Sequence, residues 1–283
     1  MSTSVAVGAP PERQGLTKRQ RTTFLRTGQY AIIVVIVVVL AIVGHWGDFR
    51  TQFLDFHTMG QVLPRVLKTG LINTLLYTVL AFVFGLIVGL IIALMRLSQV
   101  RLYRWIATVY VELLRGLPTL LVLFLLNYAI PTLFGPSSKL FSNFYLLVTI
   151  GLGSVAAAYM SETIRAGVQA VPKGQMEAAR TLGMSAGTAM RLVILPQAFR
   201  IIIPPLTNEI ILLIKDSSLV YALSFAATQY DLTYLTQTAA SGGITGIDAN
   251  ASPLILAGLA YLVVTLPLSQ AVRALERNQA KRR

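Results

Sequence analysis

The sequence contains no cysteine, only two histidines and few charged residues, which make up 12% of its 283 positions. Without cysteine the chain forms no disulfide, no cysteine-ligated metal site and no thiol nucleophile. The two histidines, His45 and His57, belong to no metal-binding pattern. Because a soluble domain usually carries about 25% charged residues, the scarcity of charge argues against a soluble enzyme.

The sequence is instead rich in long apolar runs: 55% of the residues are hydrophobic and the mean hydropathy is +0.68. Runs of spanning length predict an all-α membrane protein, a polytopic helical bundle of about six transmembrane helices. The predicted spans are residues 30–46, 70–95, 105–126, 144–160, 199–214 and 254–268.

The first run, residues 30–46, is short enough to resemble the apolar part of a signal peptide. The long polar stretch before it and the lack of a small-residue cleavage site after Val43 predict an uncleaved, extra N-terminal helix instead. Residues 1–29 are predicted to be a disordered basic tail, and residues 274–283 a second basic tail.

Basic residues outnumber acidic residues by 24 to 11, which gives a net charge of +13. Six spans place both termini on one side, and with the termini inside, most lysines and arginines fall in the tails and inner loops. The positive-inside rule therefore predicts cytoplasmic termini in a plasma (inner) membrane protein. Because membrane sidedness explains the charge, the lipid bilayer is an expected partner and nucleic acid is not.

Sequence motifs for catalysis are missing. The chain has no G-x-x-x-x-G-K-[ST] loop for nucleotide phosphates, no H-E-x-x-H and no G-x-S-x-G. We therefore expect no catalytic residue, no cofactor and no metal in this chain. The spacing of Gly85 and Gly89 fits a close helix–helix contact, but glycine is also common in membrane helices, and both interpretations stay open.

The stretch between the fourth and fifth spans is too polar to cross a membrane, yet too regular for a flexible loop. Residues 175–182 favour a short helix, and Gly183 is suited to end it. Ser185 can cap a second short helix, after which Leu195-Pro196 restarts the chain towards the membrane.

We call this helix–Gly–helix unit, residues 175–192, the knob, and expect it on the cytoplasmic face. Its Glu177 offers a charged hydrogen-bond acceptor to a partner. The small side chains of Ala178 and Ala179 let the helix backbone lie close in the groove of that partner. The knob is therefore expected to dock another protein.

The sequence around the knob resembles the EAA loop of ABC-transporter permeases. The family spacing E-A-A-x3-G-x9-I-x-L-P is met throughout, with Val193 in place of the usual isoleucine. The matching residues, which the resemblance implies as the ATPase-coupling set, are Glu177, Ala178, Ala179, Gly183, Leu195 and Pro196. Further segments resemble the polar amino-acid uptake branch, the histidine/glutamine permease type; these are residues 69–74, 112–118, 172–175, 195–198, 204–209 and 215–219.

The resemblance implies a five-helix permease core, residues 68–273, whose coupling loop, residues 165–198, docks into a separate cytoplasmic ATPase. The chain is then expected to be the membrane-spanning subunit of an ABC importer that moves a polar or charged amino acid inward. Its implied partners are an ABC ATPase dimer that binds ATP and Mg, a second permease subunit in a homo- or heterodimer, and an extracytoplasmic amino-acid-binding protein. Two features depart from the family: the extra N-terminal helix, and Val122, where many members have glutamine.

One alternative function is an ion-gradient-driven secondary transporter of small polar solutes. Such transporters often contain paired inverted repeats with matching broken helices. Only one strongly interrupted helix is evident here, at Gly116 to Pro118, and the Pro204-Pro205 pair does not match it. An intramembrane enzyme would need a nucleophile, a catalytic dyad or a metal cluster within the spans, and none is evident.

The last part of the fifth span carries four polar residues at membrane depth: Asn208, Glu209, Lys215 and Asp216. Glu209 and Asp216 are seven positions apart, so they fall nearly on one helix face, about 10 Å apart along the axis. One hypothesis is that Asn208 and Glu209 line the substrate passage and that Lys215 and Asp216 lie near its outer gate. The other is that Glu209 pairs with a basic residue on another helix or subunit.

Two pairs of opposite charge, Glu112–Arg115 and Glu162–Arg165, are spaced i,i+3 and are expected to be helix-end ion pairs. Pro118, which follows Arg115 closely, predicts a kinked or interrupted helix.

Overall fold

The computed structural model describes residues 18–135, 143–223 and 227–280, and every regular element in these ranges is a helix. The chain divides into two compact units, Met1–Arg50 and Thr51–Arg283. The α-helices are α1 (Lys18–Val43), α2 (Trp46–Phe53), α3 (Phe56–Arg65), α4 (Leu71–Leu97), α5 (Arg101–Gly116), α6 (Thr119–Phe134), α7 (Phe144–Gln169), α8 (Lys173–Thr181), α9 (Ala186–Ala189), α10 (Leu195–Asp216), α11 (Leu232–Ala240) and α12 (Ser252–Ala280). Two π-helical stretches, Val66–Gly70 and Met190–Ile194, and two 3-10 helices, Ser217–Leu223 and Ala227–Gln229, complete the set.

Five helical segments are long and apolar enough to cross a membrane, and α5 with α6 adds a sixth if this bent pair counts as one span. The prediction of an all-α bundle with about six transmembrane helices is thus confirmed. Large apolar side chains on the outer faces of these helices, such as Val79 and Leu262, are exposed. Such exposure is expected where lipid is the solvent, because lipid tails are as apolar as leucine.

The first helix differs from its prediction at both ends. α1 begins at Lys18 rather than at Tyr30, and it ends at Val43 rather than at Trp46. The prediction of a disordered tail is therefore wrong for residues 18–29, and residues 1–17 lie outside the described ranges. Hydropathy detects the part of a helix that lipid can cover, whereas the polar lysine, arginine and glutamine residues before it are good helix formers. The second tail is likewise helical as far as Ala280, where α12 ends.

The span predicted over residues 105–126 is not one continuous helix, because the chain breaks there into α5 and α6. The two helices are bent by 108° relative to each other. Leu117 lies between them in an extended conformation, as proline disfavours helical geometry in the residue before it. The interruption expected at Pro118 is confirmed.

α4 and α7 pack closely through glycines that face each other. A Cβ atom added to Gly85 would lie 3.1 Å from the backbone oxygen of Gly153, and one added to Gly89 would lie 2.9 Å from the backbone oxygen of Ala157. Any larger side chain at either position would push the two helices apart. Of the two interpretations of the Gly85 and Gly89 spacing, the structure supports the close helix contact.

The first turns of α4 hold the segment that leads into α11. The Asn73 side-chain amide donates to the backbone oxygens of Thr228 and Tyr230, at 3.0 and 2.9 Å, and the Tyr77 hydroxyl donates to the Gln229 oxygen at 2.6 Å. Asp231 then caps α11 by accepting from the backbone N–H groups of Thr233 and Tyr234, the second and third residues of that helix. Burial raises the pKa of this carboxyl to about 6, although the two N–H groups partly offset the effect.

Candidate functional site

The first helix of the knob, α8, ends at a left-handed glycine. Gly183 has a φ of +84°, a conformation that costs other residues free energy. Its N–H donates to the Arg180 oxygen at 3.0 Å, and the Met184 N–H donates to the Ala179 oxygen at 3.2 Å. These two bonds form a Schellman motif. The predicted short helix and its termination by Gly183 are confirmed.

The second helix of the knob begins as predicted, and it continues without a break into the helices that follow. The Ser185 hydroxyl caps α9 by accepting from the Thr188 N–H at 3.2 Å. The chain then continues through the π-helical stretch Met190–Ile194 directly into α10. The predicted start of a helix at Leu195-Pro196 is confirmed, since α10 begins at Leu195, but no break separates this helix from the knob. Pro196 lacks one N–H donor and disturbs the regular bonding pattern, and the π-helical turn just before it lets the chain stay helical.

Side chains of the knob point in different directions. Glu177 and Ala178 are exposed, and Leu182 has 79% of its side-chain surface free. Ala179, in contrast, is only 4% exposed and lies in the packing of its own chain. The prediction that both alanines face a partner is wrong for Ala179, because consecutive helical residues are turned by about 100°. Of the remaining coupling residues, Gly183 and Pro196 are exposed and Leu195 is partly buried.

The base of the knob is fixed to the membrane helices. The Gln197 side-chain amide on α10 donates to the Gln175 side-chain oxygen on α8 at 3.2 Å. Beneath this bond lies an apolar cluster to which α4, α7 and α10 all contribute. Its buried members are Ala93, Ile164, Val171, Ile194, Ala198 and Ile202. The knob is thus anchored to three helices rather than hanging from a flexible loop.

A cluster of charged side chains joins α4 and α7 near the knob. Glu162 forms the predicted ion pair with Arg165, and its other oxygen pairs with Arg96 of α4. Arg165 also donates to the Gln169 side-chain oxygen at 2.6 Å. The pairing with Arg96 could not be predicted, because 66 residues separate Arg96 from Glu162 in the sequence.

The second predicted ion pair is not formed. In the described ranges Glu112 forms no ion pair, and the Arg115 guanidinium instead lies over the Tyr159 ring, 5.3 Å from its centre. An exposed i,i+3 pair contributes little free energy. A cation–π contact with an aromatic ring on a neighbouring helix can therefore replace it.

α10 carries the predicted polar residues on two adjoining faces about 100° apart, which together we call its polar face. Asn208 and Lys215 are exposed, while Glu209 and Asp216 are partly buried. Within the described part of the chain none of these charged groups forms an ion pair. Charged groups exposed to lipid at membrane depth cost about 2.5 to 3.5 kcal/mol each. The face must therefore contact water or another protein surface.

Across the residues that the structure describes, no group of three histidine or carboxylate side chains is placed to hold a metal ion. The features that stand out are the anchored knob, the polar face of α10 and the helix that joins them.

The family model described as "Binding-protein-dependent transport system inner membrane component" matches residues 85–281, and the chain belongs to this family. The resemblance to ABC-transporter permeases is thereby confirmed. The chain is similar to the probable glutamine ABC transporter permease protein GlnM of Bacillus subtilis (strain 168), with 36% identity over 189 residues that cover 67% of this chain and 82% of the relative. It is also similar to the arginine transport system permease protein ArtQ of Bacillus subtilis (strain 168), with 37% identity over 224 residues that cover 79% of this chain and 96% of the relative.

A solved structure of an amino acid ABC transporter with histidines has the same fold. It superimposes with a TM-score of 0.68 and 38% sequence identity, and the match covers 79% of this chain and 98% of that chain. About a fifth of the present chain therefore has no counterpart in that structure. The matched family region begins only at residue 85, so it does not extend to α1.

Proposed function

We propose that this chain is the membrane-spanning permease subunit of an ABC importer that moves a polar or charged amino acid inward. The observation that carries the proposal is continuity: the second helix of the knob and the polar face of α10 lie on one unbroken run of helix from Ala186 to Asp216. A displacement of this second helix can therefore reach the polar residues without crossing a flexible joint. Relatives named for glutamine and arginine transport support the substrate class.

In this proposal the knob, on the cytoplasmic side together with both termini, docks an ABC ATPase dimer. Its exposed surface combines the carboxylate of Glu177, the small side chain of Ala178 and the apolar side chain of Leu182. An apolar contact beside a charged hydrogen-bond acceptor suits a specific protein interface. ATP and Mg are bound by the ATPase partner, and this chain converts the movement of that partner into transport.

The polar face of α10 lines the substrate passage between this chain and a second permease subunit. Asn208 and Glu209 lie along the passage, and Lys215 and Asp216 lie near its outer gate. The cost of exposing these groups to lipid supports this placement, as does the lack of ion pairs to them in the described ranges. A second subunit, identical or related, would complete the walls of the passage.

An extracytoplasmic binding protein delivers the amino acid to the outer surface. The outer connections near Tyr128 and in residues 229–251 are the surfaces available to it, although residues 136–142 lie outside the described ranges. α11, held to α4 through Asn73 and Thr74, gives this surface a fixed geometry.

The test is uptake of radiolabelled arginine, histidine, glutamine, glutamate and cystine by proteoliposomes that contain the co-purified complex. Each solute is measured with and without ATP and with and without the binding protein. Accumulation of one solute that requires both ATP and the binding protein would support the proposal. Failure of any ATPase to co-purify with the chain, or accumulation of none of these solutes, would contradict it.

A further inference from the structure

α7 and α10 cross at Gly167 and Ile202, two buried residues in direct contact. A Cβ atom added to Gly167 would overlap Cγ1 of Ile202 and would lie 3.0 Å from its Cδ1. Cγ1 is held stiffly because isoleucine branches at Cβ and Ile202 is only 4% exposed. With isoleucine at position 202, the crossing therefore accepts only glycine at position 167.

This contact closes the base of the knob. Gly167 lies in the last turn of α7, before the chain enters the knob, and Ile202 lies in the second turn of α10, after the chain has left it. The Gln175–Gln197 hydrogen bond ties the knob to α10 from the other side. Both ends of the knob are thus fastened where they enter the membrane bundle.

The same crossing lies close to the polar face of α10. Glu209 follows Ile202 by seven residues, which is two helical turns or about 10 Å along the axis. The ion pair of Glu162 with Arg96 joins α7 to α4 at a point one to two helical turns before Gly167. A shift of the knob relative to α4 therefore acts on α10 at this contact.

We propose that Gly167 and Ile202 are the positioning residues through which a movement of the knob is transmitted to α10 and its polar face. The inference rests on the proposed function, since it assumes that an ATPase moves the knob. If the contact is loosened or forced apart, α7 and α10 slide past each other and absorb the movement. ATP hydrolysis then continues while transport is lost.

Three variants test the contact: Ile202→Ala, Gly167→Ala and the double variant. Ile202→Ala removes the interlocking side chain, and Gly167→Ala forces the helices apart. In the double variant the two new methyl groups would lie in contact, because Cβ of Ile202 is 3.5 Å from the Cβ position of residue 167. The double variant therefore restores a close crossing without overlap.

The measured quantity is the ratio of solute transported to ATP hydrolysed by the reconstituted complex. We expect each single variant to keep its ATPase activity and its assembly, with the ratio reduced about fivefold or more. The double variant is expected to recover most of the wild-type ratio. The matched control for Ile202→Ala is Ile203→Ala, which shortens the exposed isoleucine next to it. The matched control for Gly167→Ala is Gly258→Ala, at an open position on α12.

Single variants with the wild-type ratio would overturn the inference, as would a double variant no better than the single ones. If Gly167→Ala fails to assemble, Ile202→Ala decides alone, since it creates space rather than overlap. A wild-type complex that transports nothing with ATP overturns the proposed function and this inference together. Wild-type transport with unchanged ratios in the variants overturns this inference only.

Discussion

Arg96 at the end of α4 and Glu162 on α7 form an ion pair, although 66 residues separate them in the sequence. Arg165 pairs with the second oxygen of the same carboxylate. Both arginines and Glu162 are about three-quarters buried or more. Partial burial reduces solvent screening, so this cluster contributes more than an exposed pair and fixes α4 to α7 near the knob.

Glu162→Gln is expected to lower the free energy of unfolding by about 1 to 3 kcal/mol, because two guanidinium groups lose their charged partner. Thermal unfolding of the purified chain in detergent measures the change. Glu112→Gln is the matched control, since Glu112 forms no ion pair in the described ranges, and its unfolding temperature is expected to stay near that of the wild type. Equal effects of the two substitutions would contradict this role of the cluster.

Gly89→Ala tests the close packing of α4 against α7. The added methyl group would lie 2.9 Å from the Ala157 backbone oxygen and 3.1 Å from Cβ of Met160, and backbone cannot move aside as a side chain can. We expect a loss of about 1 to 3 kcal/mol in the free energy of unfolding. Gly60→Ala on α3, where nothing lies within 4 Å, should be neutral or slightly stabilising. A neutral Gly89→Ala would show that the helices are not in close contact.

The stability of the segment that leads into α11 is expected to depend on pH through Asp231. Burial raises the pKa of this carboxyl from 3.8 to about 6, so the folded state binds the proton more tightly than the unfolded state does. Between about pH 4 and pH 6 the free energy of unfolding should therefore fall as the pH rises, by up to about 3 kcal/mol.

Asp231→Asn keeps the capping geometry and removes the titration, so its stability should change less over this range. The difference between wild type and variant in thermal unfolding from pH 4 to pH 7 isolates the effect of this one carboxyl. If the stability difference between wild type and Asp231→Asn does not vary with pH, the predicted effect of the Asp231 carboxyl is refuted.

Glu209→Gln separates the two hypotheses for the polar face of α10. If Glu209 lines the passage, transport should fall about tenfold or more through loss of a charge-assisted hydrogen bond, while the complex still assembles. If Glu209 holds another subunit, assembly itself should be lost. Uptake and size-exclusion chromatography are measured on the same preparation, with Glu276→Gln at an exposed position near the end of α12 as the control.

Local features of the fold could be predicted from the sequence because their causes are local. Pro118 disfavours helical geometry in Leu117 just before it and so separates α5 from α6, and Gly183 followed by Ser185 combines a helix stop with a helix cap. Apolar runs of spanning length likewise located the transmembrane helices, although not the true start of α1 at Lys18. The polar residues at membrane depth were visible for the same reason, since charge there is rare.

The remaining features depend on which helices become neighbours, and a single sequence does not contain that information. In the sequence Arg96 is only one of many positive charges, and nothing near it indicates Glu162 as its partner. The burial of Ala179 depends on how α8 packs against its own chain. The crossing of Gly167 with Ile202 needs both helices in place before either residue becomes distinctive.

The central claim is that ATP hydrolysis by a partner docked on the knob drives uptake through this chain. The most direct measurement compares uptake by proteoliposomes loaded with ATP and by proteoliposomes given only an ion gradient, for the wild type and for Gly183→Asp. Gly183 is exposed with a positive φ, so aspartate there adds backbone strain and a negative charge to the exposed surface of the knob. Gly246→Asp, at another open glycine with φ of +80°, is the control for backbone strain. Because Gly246 lies outside the knob, the ATPase should still co-purify with this variant. The account predicts uptake that requires ATP and collapses in Gly183→Asp; uptake driven by an ion gradient without ATP would contradict it.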